Sequence, residues 1–236
     1  LSATGKRAVV SARGDVFTVP VKDGSVRNLT ETAGVREKDA LWSPDGQQVA
    51  YISDAPGMRH EIVLQAQTGL GPKERFLLPK TGYYTLLDWS PDGRWLAVAD
   101  NHLNLYRLGL AAGPQRGQLV KVDTSLRRGG GFGSAAVSFS PDSRWLVYSG
   151  RDANFFSNLY LQRVDEDTPR QITFLSNLTL GGPIWAPNGR FIIFTTSQYR
   201  DEAQIARVDL LPIPPQFREV EFEKLFEPRP AAGDRR

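Results

Sequence analysis

One short pattern occurs four times in this chain: a large aromatic residue, a Ser-Pro-Asp-Gly-like turn, then a burst of strand-forming residues. The copies are WSPDGQQVAYIS at 42–53, WSPDGRWLAVAD at 89–100, FSPDSRWLVYSG at 139–150 and WAPNGRFIIFTT at 185–196. An eroded fifth copy, LSATGKRAVVSA, opens the chain at residue 1. The starts of the five lie 41, 47, 50 and 46 residues apart. Such a period, filled with short strands, is that of the four-stranded blade of a β-propeller, in which each unit's apolar face is covered only by its neighbour.

Each part of the pattern has a physical task. Serine offers a local hydrogen bond, proline presets φ at the second turn position, and glycine lets the chain leave the turn at little steric cost. The residues that follow are apolar in succession: Ala8-Val9-Val10, Val49-Ala50-Tyr51, Leu96-Ala97-Val98, Leu146-Val147-Tyr148 and Ile192-Ile193-Phe194. A strand apolar on both faces must be covered on both, as a middle blade strand is by two neighbouring blades. A second run follows in each unit, for example Asp15-Val16-Phe17 and Asn158-Leu159-Tyr160. An outer, more polar run such as Val26–Thr30 or Pro169–Thr173 suits an edge facing water. Glycine and proline punctuate every unit, so no long segment keeps a helical period. The segment Glu219–Phe226 (EVEFEKLF) fits a short helix or a last strand. The fold class is all-β.

Strand counting sets the organisation. The residues before each motif, Asp39–Leu41, Leu86–Asp88, Ala136–Ser138 and Gly182–Ile184, are expected to form the innermost strand of the blade they open. Leu1 has no such strand ahead of it, so the sequence predicts three strands of a first blade and about four further blades. That describes an arc of a six- or seven-bladed ring; the alternative is a five-bladed ring closed by the strand near Glu219–Phe222. The propeller segment is expected over 1–226, with 227–236 a linker of proline, alanine, glycine and charge.

Composition narrows the chemistry. No run of about 18 apolar residues is present, so no membrane-spanning helix is expected, and no secretory pattern opens the chain. The absence of cysteine excludes disulfides, thiolate metal sites and cysteine nucleophiles. A formal charge of +3 without a basic stripe argues against nucleic acid as a partner.

The stretches GKRAVVSARGDVFTVP (5–20), GSVRNLT (24–30) and GVREKDALWSPDGQQVAYISD (34–54) resemble the propeller region of tricorn-type serine peptidases. The end, IARVDLLPIPPQFREVEFEKLF (205–226), resembles the exit from that propeller. The WSPDG element is shared with TolB-type propellers and with the propellers of prolyl-oligopeptidase relatives. The resemblance implies a non-catalytic role: gating peptide or protein substrates toward a peptidase region with a PDZ-like domain in the same polypeptide. It also implies a cytoplasmic setting, with the periplasm as alternative, and leaves oligomerisation open. The rival readings are a free-standing TolB-like protein-binding module and a propeller hydrolase with its site in the channel.

No residue of a peptidase active site is carried over. His60 and His102 fall in loops between second and third blade strands, and no G-x-S-x-G elbow accompanies them. Asp165-Glu166-Asp167 lacks the spacing of a calcium loop, and neither metal nor cofactor is expected. Candidate peptide contacts are Arg127 and Arg128, in the Gly-rich crossover 126–134, where paired guanidiniums suit a carboxylate. Tyr83 and Tyr84 lie in the equivalent crossover one blade earlier, with packing at the blade junction as the plainer reading. Trp42, Trp89, Phe139 and Trp185 share one repeat position and are assigned to packing between blades.

Overall fold

A computed structural model describes residues 1–55, 57, 59–79, 82–124, 137–176, 181–197 and 202–211. These build five antiparallel sheets, each wound from an inner to an outer strand. Blade 1 holds β1 (Arg7–Ala12), β2 (Asp15–Pro20) and β3 (Arg27–Asn28). Blade 2 holds β4 (Glu37–Trp42), β5 (Gln48–Ser53), β6 (Glu61–Ala66) and β7 (Glu74–Leu77). Blade 3 holds β8 (Tyr84–Trp89), β9 (Trp95–Asp100), β10 (Leu105–Gly109) and β11 (Leu119–Asp123). Blade 4 holds β12 (Val137–Phe139), β13 (Trp145–Arg151), β14 (Ser157–Arg163) and β15 (Arg170–Gln171). Blade 5 holds β16 (Ile184–Trp185), β17 (Phe191–Thr196) and β18 (Gln204–Asp209). The residues before each full motif form the inner strand, and blade 1 lacks one among the described residues. Residues 212–236, with Glu219–Phe226 and the 227–236 linker, lie outside the described residues.

The repeated turn is a small hydrogen-bonded unit. Ser43 Oγ donates to Asp45 Oδ1 (2.6 Å) and accepts the Gln48 N–H (2.8 Å), while Asp45 Oδ1 also accepts the Gln47 N–H (3.0 Å). Ser90 with Asp92, and Ser140 with Asp142, repeat the arrangement. In the fourth copy Ala186 drops the hydroxyl, yet Asn188 Oδ1 still accepts the Arg190 N–H (3.0 Å). The turn glycines Gly46, Gly93 and Gly189 have φ of 71°, 74° and 67°. Ser143 takes the same left-handed place at 58°. Its hydroxyl accepts the Asp92 N–H (3.0 Å) from the neighbouring blade, which offsets the strain a side chain meets there.

Burial separates middle blades from end blades. The second strands β5, β9 and β13 are buried on both faces, whereas β17 alternates buried and exposed and β1 leaves Val10 exposed. Exposed Ile184, Ile193 and Ile205 share the outer side of blade 5, which no further described blade covers. The apolar run in β1 therefore misleads if read as two-sided burial. The described residues form an open arc.

The packing between blades follows the repeat. Trp89 joins Leu86, Leu96 and Leu108 in the core of blades 2 and 3. Phe139 packs with Leu146 and Tyr148, and Trp185 with Val147 and Phe194. Trp42 is only partly buried, against Val16 and Val49. Polar links tie the inner ring: Lys38 Nζ donates to the Tyr84 carbonyl (2.7 Å), Asp88 Oδ2 accepts the Phe139 N–H (3.0 Å), and Trp185 Nε1 donates to the Ser138 carbonyl (3.1 Å). Burial pushes the Asp88 carboxyl up, partly countered by the backbone N–H groups it accepts from.

Candidate functional site

Antiparallel winding puts the Ser-Pro-Asp-Gly turns on one face of the arc. The loops joining second to third strands, and the crossovers between blades, lie on the opposite face. His60, Tyr83 and Asn101 meet on that crossover face. The backbone N–H of Tyr83 donates to Asn101 Oδ1 (2.9 Å), and the Asn101 N–H donates back to the Tyr83 carbonyl (2.9 Å). The two loops thus hold one another. The Tyr83 ring is 65% exposed and stands edge-on to the His60 imidazole, with centroids 5.4 Å apart.

Tyr84 points the other way. It is 2% exposed, packs in the core of blades 2 and 3, and offers no surface to a peptide. Of the two tyrosines expected as peptide contacts, Tyr84 is thus turned into the core and Tyr83 outward, because successive residues entering a strand face opposite sides. The Tyr84 N–H donates to His60 Nδ1 (3.1 Å), so that nitrogen must carry a lone pair and the imidazole serves as a neutral acceptor. Burial, with the Lys38 cation nearby, lowers the His60 pKa and favours that form. This role has no sequence signal, since the partner is a backbone amide 24 residues away.

Below Tyr84 the ring of Tyr106 lies 6.4 Å away, and its hydroxyl donates to Asp100 Oδ2 (2.9 Å). Asn104 adds bonds from its side chain and backbone to the same carboxylate (2.8 Å each). Burial pushes the Asp100 carboxyl up, but the hydrogen bonds from Asn104 and Tyr106 outweigh it and hold the pKa below its ordinary value. The network is a rigid base for the Tyr83 loop. Among the described residues neither histidine hydrogen-bonds a serine, and no three His, Asp or Glu side chains converge as metal ligands. Asp165 and Glu166 pair with Arg163, and Asp167 with Arg107. Arg127 and Arg128 lie outside the described residues. No helix among the described residues is long and apolar enough to cross a membrane.

A wound arc of antiparallel blades, with an exposed aromatic on its crossover face, defines a β-propeller module. Residues 1–201 match the family model described as the tricorn protease second β-propeller domain, and the chain belongs to that family. It is 32% identical over 151 residues to tricorn protease homolog 1 of Streptomyces coelicolor, a match covering 62% of this chain and 13% of that protein. The chain thus spans about an eighth of that relative's length. Among solved structures, the tricorn protease superposes with a TM-score of 0.67 at 15% identity, over 88% of this chain and 21% of that one. A TolB structure from Agrobacterium tumefaciens gives 0.63 at 20% identity, over 89% of this chain and 75% of the other. At such identities the structural likenesses speak for the fold.

Proposed function

We propose that this chain is a non-catalytic propeller portion of a tricorn-like serine peptidase, whose crossover face guides peptides toward a peptidase region carried elsewhere in the polypeptide. The observation that carries this reading is the family match over residues 1–201. The exposed ring of Tyr83, pinned by Asn101 and His60, supports it as an aromatic contact for a passing chain. Arg127 and Arg128, in the segment joining β11 to β12, are assigned the role of a carboxylate clamp. PDZ-like and peptidase domains are the proposed partners within the polypeptide.

The test uses the intact polypeptide with Tyr83→Ala, Arg127→Ala and Arg128→Ala combined. Turnover of a long peptide is expected to fall about tenfold in kcat/KM, the scale of a lost charge-assisted hydrogen bond of ~1.5 kcal/mol. Turnover of a short chromogenic substrate is expected to stay unchanged. Equal, unchanged kinetics on both substrates would refute the guiding role. The 236-residue chain alone is expected to hydrolyse neither substrate.

A further inference from the structure

Between blades 4 and 5, opening on the turn face, lies an apolar cleft of about 1050 Å³. Its walls include Trp145, Leu161, Ile172, Phe174 and Trp185, and Leu210 and Leu211 stand at the edge where the described chain leaves β18. The equivalent space between blades 2 and 3, lined by Ser43, Asp45, Trp89 and Asp92, is only about 120 Å³. There Leu119 of the outer strand β11, like Phe76, packs against the core that holds Leu78 and Leu110. Leu110 and Leu210 are equivalent by the repeat: each donates its N–H to the carbonyl of the arginine after the turn glycine, Arg94 (2.8 Å) and Arg190 (3.0 Å). Leu110 is 5% exposed, yet Leu210 is only partly buried and Phe174 is 81% exposed. Among the described residues, blade 5 has nothing in the part that Leu119 plays. An apolar cleft of this size, left uncovered by the described residues, is the kind of surface on which a partner segment docks.

We infer that residues 219–226 of this same chain occupy the cleft. Three features favour that occupant. The chain passes the cleft at Leu211, and the seven residues from Pro212 to Arg218 reach at most ~25 Å when extended, which keeps the segment within reach of it. The segment supplies Val220, Phe222, Leu225 and Phe226, large apolar side chains that match the apolar walls. It also carries Glu219, Glu221 and Glu223 beside Lys224, and the cleft margin bears exposed Arg170 and Arg190 as well as Asp142 and Asp209, so both sides offer charges of each sign and the glutamates have the two arginines to pair with. Docking here fixes the direction in which the polypeptide departs from the arc.

The test places p-benzoylphenylalanine at position 222 in the 236-residue chain and maps the photoadducts by mass spectrometry. The expected product is intramolecular, on Trp145, Leu161 or residues 170–174. The Arg170→Glu/Arg190→Glu double variant is expected to lower its yield several-fold, because the reversed charges repel the three glutamates. An adduct elsewhere on the same chain would overturn the inference. So would an adduct on a second copy whose yield rises with concentration, or no adduct above background in the unsubstituted cleft.

Discussion

Replacing Trp89 by alanine removes the largest side chain from the core of blades 2 and 3, where it lies buried with Leu86, Leu96 and Leu108. Neighbouring strands are held by their ladders and close over such a gap only in part, so the loss combines transfer and cavity terms. About 3–5 kcal/mol is expected. For a chain of this length that lowers Tm by about 6–20 °C. The indole Nε1 sharpens the test, because it is buried without a hydrogen-bond partner. Trp89→Phe removes an unsatisfied N–H, a relief of ~1–3 kcal/mol, against a similar loss of apolar contact. It should be near neutral, as the natural Phe139 at the same repeat position suggests. Trp42→Ala, at a partly buried place against blade 1, should cost only ~1–2 kcal/mol. Thermal and urea melts of the three variants provide the assay. A Trp89→Ala loss below ~1 kcal/mol, or the same loss at Trp42 and Trp89, would refute the inter-blade assignment.

Three further outcomes are expected. Asp88→Ala leaves the N–H groups of Trp89 and Phe139 without their acceptor and should cost ~2–4 kcal/mol, with Asp88→Asn about half of that; urea titration at neutral pH checks both. His60 has a lowered pKa when folded, so its contribution is present above the ordinary value of 6.5 and is lost as pH falls below it. Tm should therefore decline between about pH 7 and 5, and His60→Gln, which keeps an acceptor but no titratable ring, should flatten that part of the profile. Ser143→Gly exchanges relief of the left-handed strain for loss of the bond from the Asp92 N–H and should be nearly neutral. Ser143→Ala keeps the strain and loses the bond, at ~1–2 kcal/mol, which equilibrium unfolding resolves.

The blades were legible because their information is local. The Ser-Pro-Asp-Gly turns make their hydrogen bonds within five residues, so the same words give the same geometry in each copy. The inner strands could be counted for the same reason. Burial in the end blades was not legible, because Val10 and Ile193 carry the same apolar spelling as Val98 and Val147 and differ only in having no described blade beside them. The site was legible in half. Tyr83 and Tyr84 are indistinguishable by type, and only the start of β8 decides that one ring faces water and the other the core. The acceptor role of His60 depends on a crossover from the next blade, a distance along the chain that no local pattern encodes.

Among the described residues, the two uncovered ends of the arc are different surfaces, the isoleucine face of blade 5 and the valine-bearing face of blade 1. Contact between unlike patches on successive copies is heterologous, so it propagates head to tail and closes only if the rotation per copy divides a full circle. Copies of the described arc are thus expected to associate head to tail. Light scattering that rises with concentration, and is suppressed by an Ile193→Lys/Ile205→Lys substitution at one end alone, is the behaviour this polarity dictates.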